Sequence, residues 1–371
     1  MKRYFFIAAM AILAVGCQKT EIQNEVQTPI GFSTEVGKQT RAIVDGAEYG
    51  TTQPFGVYAF GHQGTAEATT IMDNVEIFTV EGEWRATNGV KYYWPNDPTT
   101  SINFYAYSPI LKANSNQKDQ DDVVKLKNHQ VMNGTFSHGD EAGLSITGYT
   151  HSNMYVDFMV ADNVVGAKYN DASTNTTGKV NLTFNHRMAQ LVFKVLTNEE
   201  YDDITFRLKS ITLTGIKNTA NITNGVFTND ASGAASFVIF PAKAETDVNG
   251  APALQADQTT LVIDHTANED SEIIPVTMIP QAFDQNQSFE VVYDIAGTGV
   301  AKETVTKVFK FENTPAWDAN KKITYTLTIG LNEITFNPSV ATWTEGAGAY
   351  YNPDNIDPNY NTSGGDNSGN N

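Results

Sequence analysis

The chain has 371 residues, a single cysteine and a formal charge of −18 at pH 7, with a pI near 4.6. So acidic a surface repels a phosphate backbone, which excludes nucleic acid as a partner, and one thiol excludes an internal disulfide. The length suffices for two domains of ordinary size, each stabilised by burial alone.

Lys2 and Arg3 give a cationic start, and residues 4–15 (YFFIAAMAILAV) form an apolar run of signal-peptide length, too short to span a bilayer. The run ends at Ala14-Val15-Gly16-Cys17, where small residues precede the lone thiol. This reads as a lipoprotein cleavage site: residues 1–16 are the signal peptide and Cys17 is the acylated new N-terminus, a membrane anchor. Each buried CH₂ of such an anchor contributes about 0.8 kcal/mol, so several chains hold almost permanently. The alternatives are an ordinary secretory signal with an incidental thiol, or an uncleaved anchor.

Residues 18–27 are polar and read as a tether. Pro29–Val36 follows as a strand with Ile30, Phe32 and Val36 on its period-2 apolar face. Residues 37–42 are polar again, with Arg41 standing before the small Ala42. One cut at Arg41–Ala42 therefore removes anchor and strand together, which makes residues 17–41 a lipidated pro-segment.

From Pro54 the sequence is a succession of short alternating segments. Phe55, Val57 and Ala59 face one way, Tyr58 and Phe60 the other. Val75–Val80 and the Trp84 region are joined by Glu81-Gly82, a hairpin-turn pair. Gly89–Pro95 reads as a short strand, and Ile102, Phe104 and Ala106 oppose Tyr105 and Tyr107 on the next. Residues 112–122 form a polar loop, residues 133–150 are Gly-rich and expected to be irregular, and Met154–Val160 is expected as a strand. Residues 170–179 (NDASTNTTGK) are the most polar interior stretch and are taken as the domain boundary. The first domain is thus 42–178 and the second 179–345.

The second domain opens with a strand carrying Leu182 and Phe184, then one carrying Leu191, Phe193 and Val195. Further strands follow around residues 204–213, 237–240, 261–263, 274–279, 289–293 and 305–311. Ile323, Tyr325, Leu327 and Ile329 alternate with threonines, Gly330–Asn332 turns the chain, and Ile334–Trp343 runs back. Residues 346–371 are a polar tail too poor in apolar groups to stay ordered alone. No long stretch has helical spacing, so the fold class is all-β, built of sandwiches.

No pattern in the chain nominates an enzyme or a cofactor. The six histidines show no H-x-H or H-E-x-x-H spacing, so no metal site is expected. Asp119–Asp122 and the tail aspartates Asp354, Asp357 and Asp366 lack the order of a calcium loop. There is no G-x-S-x-G and no phosphate-cradling loop. His186 is expected to fill a core or turn position. Tyr92, Tyr93, Tyr105 and Tyr107 are read as packing groups before glycan platforms.

Four features resemble the fimbrillin family, the subunits of type V pili. They are the acylation site followed by a strand and Thr40-Arg41-Ala42; Tyr92–Pro95 (YYWP) with Phe104–Pro109 (FYAYSP); Phe184–Phe193 (FNHRMAQLVF); and Trp317 through Trp343. The resemblance implies two tandem transthyretin-like β-sandwiches, an Arg-specific surface protease that cuts after Arg41, and a donor strand from a neighbouring subunit that fills the vacated groove. On this reading the removable strand carries Ile30, Phe32 and Val36. The donor carries Ile334, Phe336, Val340 and Trp343, with Gly346–Tyr351 as the second candidate. The long tail departs from a shaft subunit and leaves room for a tip, accessory or anchoring role. The protein is then a surface-exposed, non-enzymatic fimbrial subunit whose partners are other subunits, the protease and, through its lipid, the outer membrane. The rival reading is a lipoprotein that keeps its lipid and binds a glycan or host ligand without polymerising.

Overall fold

The computed structural model describes residues 28–36, 54–87, 89–110, 135–140, 143–152, 154, 157–228, 231–241, 261–266, 272–312, 314–331 and 333–343. Every regular element among them is a strand. The first ten are β1 (Gly31–Val36), β2 (Phe55–Gln63), β3 (Thr69–Val80), β4 (Glu83–Ala86), β5 (Thr100–Ser108), β6 (Thr135–Gly139), β7 (Gly143–Thr150), β8 (Met159–Ala161), β9 (Val164–Ala167) and β10 (Lys179–His186). Then come β11 (Ala189–Thr197), β12 (Ile204–Ile216), β13 (Thr219–Thr223), β14 (Val226–Phe227), β15 (Ala235–Phe240), β16 (Leu261–Ile263), β17 (Glu272–Met278), β18 (Ser288–Gly297), β19 (Val300–Lys310), β20 (Lys321–Ile329) and β21 (Ile334–Thr342).

The largest sheet runs β1-β10-β8-β5-β2-β3-β4, with β9 also paired to β5. Alternation on β2 and β5 dictates what lies on its two faces. Phe55, Val57, Ala59, Ile102, Phe104 and Ala106 enter one buried cluster, while Tyr58, Tyr105 and Tyr107 enter another. The tyrosine face is covered by a second sheet, β14-β13-β7-β6, through Leu144, Ile146, Tyr149 and Ile222. The third and largest cluster lies between β17-β11-β20-β21 and β15-β12-β18-β19.

The expected hairpin between β3 and β4 is present: Val80 pairs with Glu83, and Glu81 and Gly82 both take positive φ, 54° and 79°. Such a pair of left-handed residues matches the twist of the flanking strands. Residues 133–150, expected to be irregular, instead contain the β6–β7 hairpin. Its glycines serve the turn, where Gly143 has φ 64° and Gly139 pairs with it, while Leu144 and Ile146 fill the core. Of the described residues in Met154–Val160, Met159 and Val160 are strand, within β8. Gly89–Pro95 is a single bridge, Tyr93 to Pro29, rather than a strand.

The polar 170–179 stretch is a loop within the first sheet, joining β9 to β10, and a division at 178/179 would cut that sheet. The stretch is polar because its side chains bond its own backbone: Ser173 N donates to Asp171 Oδ1 at 2.8 Å and Thr177 N to Asn175 Oδ1 at 3.0 Å. Such local bonds shape a turn and need no boundary to explain them. Lys179–His186, expected to open the second sandwich, lies between β1 and β8. The chain crosses to the other sheets at Arg187 and Met188.

Candidate functional site

The strand Gly31–Val36 lies at one end of the largest sheet, parallel to β10, in register from Gly31↔Lys179 to Val36↔Phe184. Phe32 and Val36 are 4% and 2% exposed, and Ile30 packs half-buried beside them. The Phe32 ring meets Phe55 and Phe104 edge-on, with centroids 5.9 and 6.1 Å away. On the polar face Ser33 Oγ donates to Asn181 Oδ1 at 2.5 Å, and Thr183 Oγ1 donates to Glu35 Oε1 at 2.7 Å. Upstream, Ile30 N donates to Tyr92 O at 2.8 Å and Trp94 N to Thr28 O at 2.9 Å. The Tyr92–Trp94 segment therefore clasps the entry to β1.

Two buried apolar side chains, each contributing roughly 1.5–3 kcal/mol, hold one short end strand in a slightly weaker parallel ladder. Without it the floor beneath, including Phe55, Phe104, Val180 and Phe184, would face solvent beside the open edge of β10, which keeps only its ladder to β8. Cys17, Arg41 and Ala42 lie outside the described residues, as does Gly346–Tyr351.

The other strand singled out by sequence, Ile334–Trp343, lies in a different setting. Its β21 portion is antiparallel to β20, from Ile334↔Ile329 to Thr342↔Lys321, at the end of its own sheet. Ile334 and Phe336 are half-buried against the largest cluster, with Phe336 edge-on to Phe289 at 5.3 Å. Val340 is 45% exposed, so alternation does not carry it into the core. Trp343 is fully buried and stacks on His186, centroids 3.7 Å apart and planes 8° from parallel. His186 Nδ1 sits 2.9 Å from Asp157 Oδ1, and Trp343 N donates to Asn320 O at 3.1 Å. The strand ends locked where its own sheet meets β10 of the largest sheet. His186 fills the core position expected of it.

A family model described as fimbrillin-like matches residues 40–343. The chain belongs to the fimbrillin-like family. Among solved structures it is similar to a fimbrial protein from Bacteroides vulgatus, with 18% identity and a TM-score of 0.56, covering 86% of this chain and 99% of that one. It is also similar to a putative cell adhesion protein from Bacteroides ovatus, with 14% identity and a TM-score of 0.49, covering 85% and 98%. The first similarity shows a shared fold. No curated protein sequence matches the chain. Membership makes this a fimbrial-type protein, and its strands make it all-β.

In this fimbrillin-like chain the sequence reading missed the surroundings of β1. A cleft of about 890 Å³ opens beside Pro29–Phe32, walled by Met72, Ile77 and Trp84 and rimmed by Arg85, Lys91, Tyr93 and Lys179. Glu83 also lines it, and the neighbouring Arg85 guanidinium, 2.8 Å away, holds that carboxyl below its usual range. The available signal was a set of basic residues near Trp84 in an otherwise acidic chain, but no periodicity joins them. Also missed was the docking of β6–β7: His62 Nε2 lies 2.8 Å from Asp140 Oδ2, and Asn103 Nδ2 donates to Asp140 Oδ1 at 3.0 Å. His138 stacks on Tyr58 there, and burial pushes its pKa down to about 4.

Proposed function

We propose that this protein is a structural or accessory subunit of a cell-surface fimbria that assembles by strand exchange. It is exported as a lipoprotein acylated at Cys17 and held in the outer membrane. An Arg-specific surface protease cuts between Arg41 and Ala42, β1 departs with the anchor, and an extended segment of a neighbouring subunit takes its place. The contact is head-to-tail and does not close on itself, so repetition yields a filament. The subunit acts by binding other subunits and carries out no catalysis.

The observation that carries this reading is the position of β1: a terminal strand of its sheet, joined by one ladder to β10, yet supplying Phe32 and Val36 to the core. A removable piece that completes a core leaves an open edge with apolar pockets, the template for strand addition. The donor is better sought beyond Trp343, at Gly346–Tyr351, than in Ile334–Trp343. Donating β21 would require withdrawing Trp343 from its stack on His186 and Phe336 from its aromatic neighbours.

The test is to treat the purified precursor with an Arg-specific protease and to follow polymer length by gel ladder and light scattering. The wild-type chain is expected to yield a ladder of subunit multiples, while Arg41→Ala stays a folded monomer. Equal ladders from both, or no ladder after complete cutting at Arg41, would overturn the reading. A lipidated monomer that keeps Pro29–Val36 and binds a glycan array would favour the rival.

A further inference from the structure

The cleft beside Pro29–Phe32 exists while β1 is still in place. Its floor is apolar, from Phe32, Met72, Ile77 and Trp84, and its rim carries three cations, Arg85, Lys91 and Lys179, against the single carboxylate Glu83. In a chain of charge −18 this is a local reversal of sign. The outer side of β1 borders the same space. Ile30 N points away from β10 to Tyr92 O, so backbone alternation puts the Phe32 and Thr34 amides on that outward side. No strand other than β10 pairs with β1 among the described residues.

We infer that this cleft is a docking site, in the uncut protein, for the acidic and aromatic C-terminal segment of a second copy of the chain. The argument for that occupant is charge and composition. After Lys322 the sequence contains no lysine or arginine, whereas Glu345, Asp354, Asp357 and Asp366 are acidic, and Tyr350, Tyr351, Ile356 and Tyr360 supply apolar anchors between them. An acidic segment with spaced tyrosines matches an apolar floor with a basic rim; the rest of this acidic protein would repel it. Beyond Trp343 such a segment has 28 residues, 344–371, with which to reach a neighbour. The inference rests on the strand-exchange reading for its purpose. A segment held against the outer side of Pro29–Phe32 stands beside the strand it is to replace, so cutting at Arg41 finds the donor already in place and the apolar floor is never left open to water.

The test uses a fluorescein-labelled peptide spanning residues 345–360 and the uncut chain from residue 18 carrying Arg41→Ala, which holds β1 in place. Fluorescence anisotropy is expected to show saturable binding that weakens with salt. Lys91→Glu with Lys179→Glu is expected to weaken it at least tenfold, as is changing Tyr350 and Tyr351 of the peptide to alanine. Thermal melting of the acceptor double variant checks that it remains folded. Absence of binding to the uncut chain overturns the inference. If the peptide then binds after cutting at Arg41 in the wild-type chain, strand exchange survives without pre-docking; if it binds the uncut chain but no polymer forms after cutting, pre-docking survives and exchange falls. Binding that appears only when the acceptor's own residues 344–371 are deleted assigns the cleft to the chain's own tail and overturns the second-copy assignment. Saturation by a neutral oligosaccharide but not by the peptide overturns it in favour of glycan.

Discussion

β1 and β21 look alike in sequence and differ in how they are held. Both are alternating strands near a chain end, and both lie at the end of a sheet. β1 places Phe32 and Val36 deep in the core of its own sheet, where a single parallel ladder to β10 holds it. β21 keeps its strand side chains only half-buried, then anchors its exit with Trp343 on His186. A strand with deep side chains on a single end ladder leaves a well-shaped vacancy when it departs. A strand with shallow side chains and a locked exit is a fixture. The difference is what supports the proposal that β1 is replaceable while β21 stays in the framework.

The largest effect expected on this contrast is from Trp343→Ala. Removing a fully buried indole is expected to lower stability by about 3–5 kcal/mol, read as a shift of the urea midpoint, while leaving cutting at Arg41 and the β1 slot unaltered. Hydrogen exchange is expected to speed up in residues 321–342 and to stay unchanged in residues 31–36. A lost β1 ladder in that variant would erase the distinction between the two strands.

Phe32→Ala is expected to cost about 3 kcal/mol, at the low end of that range because the strand is terminal. Its exchange signature is the converse: residues 31–36 lose protection while residues 321–342 keep theirs. Equal loosening of both regions would show that the two strands belong to one cooperative unit.

Acid sharpens the comparison through a histidine at the joint of the β7 and β17 sheets, which bears on the sheet of β21 and not on that of β1. His151 is buried between β7 and β17, with Nε2 2.7 Å from Thr277 O and Nδ1 2.9 Å from Tyr149 Oη. The ring donates from Nε2 to the carbonyl, so Nδ1 accepts from the phenol. Burial lowers its pKa from 6.5 to about 4, mainly by desolvating the charged form. The unfolded chain therefore takes up the proton first. The stabilisation is fully present above pH 6.5, is lost as pH falls toward 4, and changes no further below that. The loss is expected to be on the order of 3 kcal/mol, read from urea midpoints across that window, and His151→Gln is expected to flatten the profile. His138 acts in the same direction from its stack on Tyr58. A stability that rises on acidification through this window would contradict the placement.

The smallest effect is Val340→Ala. That side chain is 45% exposed, so the change is expected to stay within about 0.5 kcal/mol, measured by the same denaturation. A large loss would mean that β21 is buried along its whole length and is no mere edge.

Face assignment was legible in sequence, and partnership was not. The split of Phe55, Val57 and Ala59 from Tyr58 follows from the period of two, and so does the inward set Ile30, Phe32 and Val36. The Glu81-Gly82 turn follows from Gly82, which takes positive φ freely, although Glu81 takes it too. Alternation says which way a side chain points, but not which strand lies alongside. β10 pairs in parallel with β1 across some 148 residues of sequence, and β11 pairs in parallel with β20. Such ladders leave no local mark. Residues 170–179 misled because a loop that satisfies its own amides has the same composition as a linker. The cleft at Trp84 was hidden because its lining comes from β1, β3, β4 and two loops that share no pattern.

The central claim is that β1 leaves with the anchor and the rest of the chain assembles without it. N-terminal sequencing and intact mass of fimbrial material sheared from cells test it directly. The account predicts subunits that begin at Ala42 and lack residues 29–36; assembled subunits beginning at Cys17 and still lipidated would contradict it.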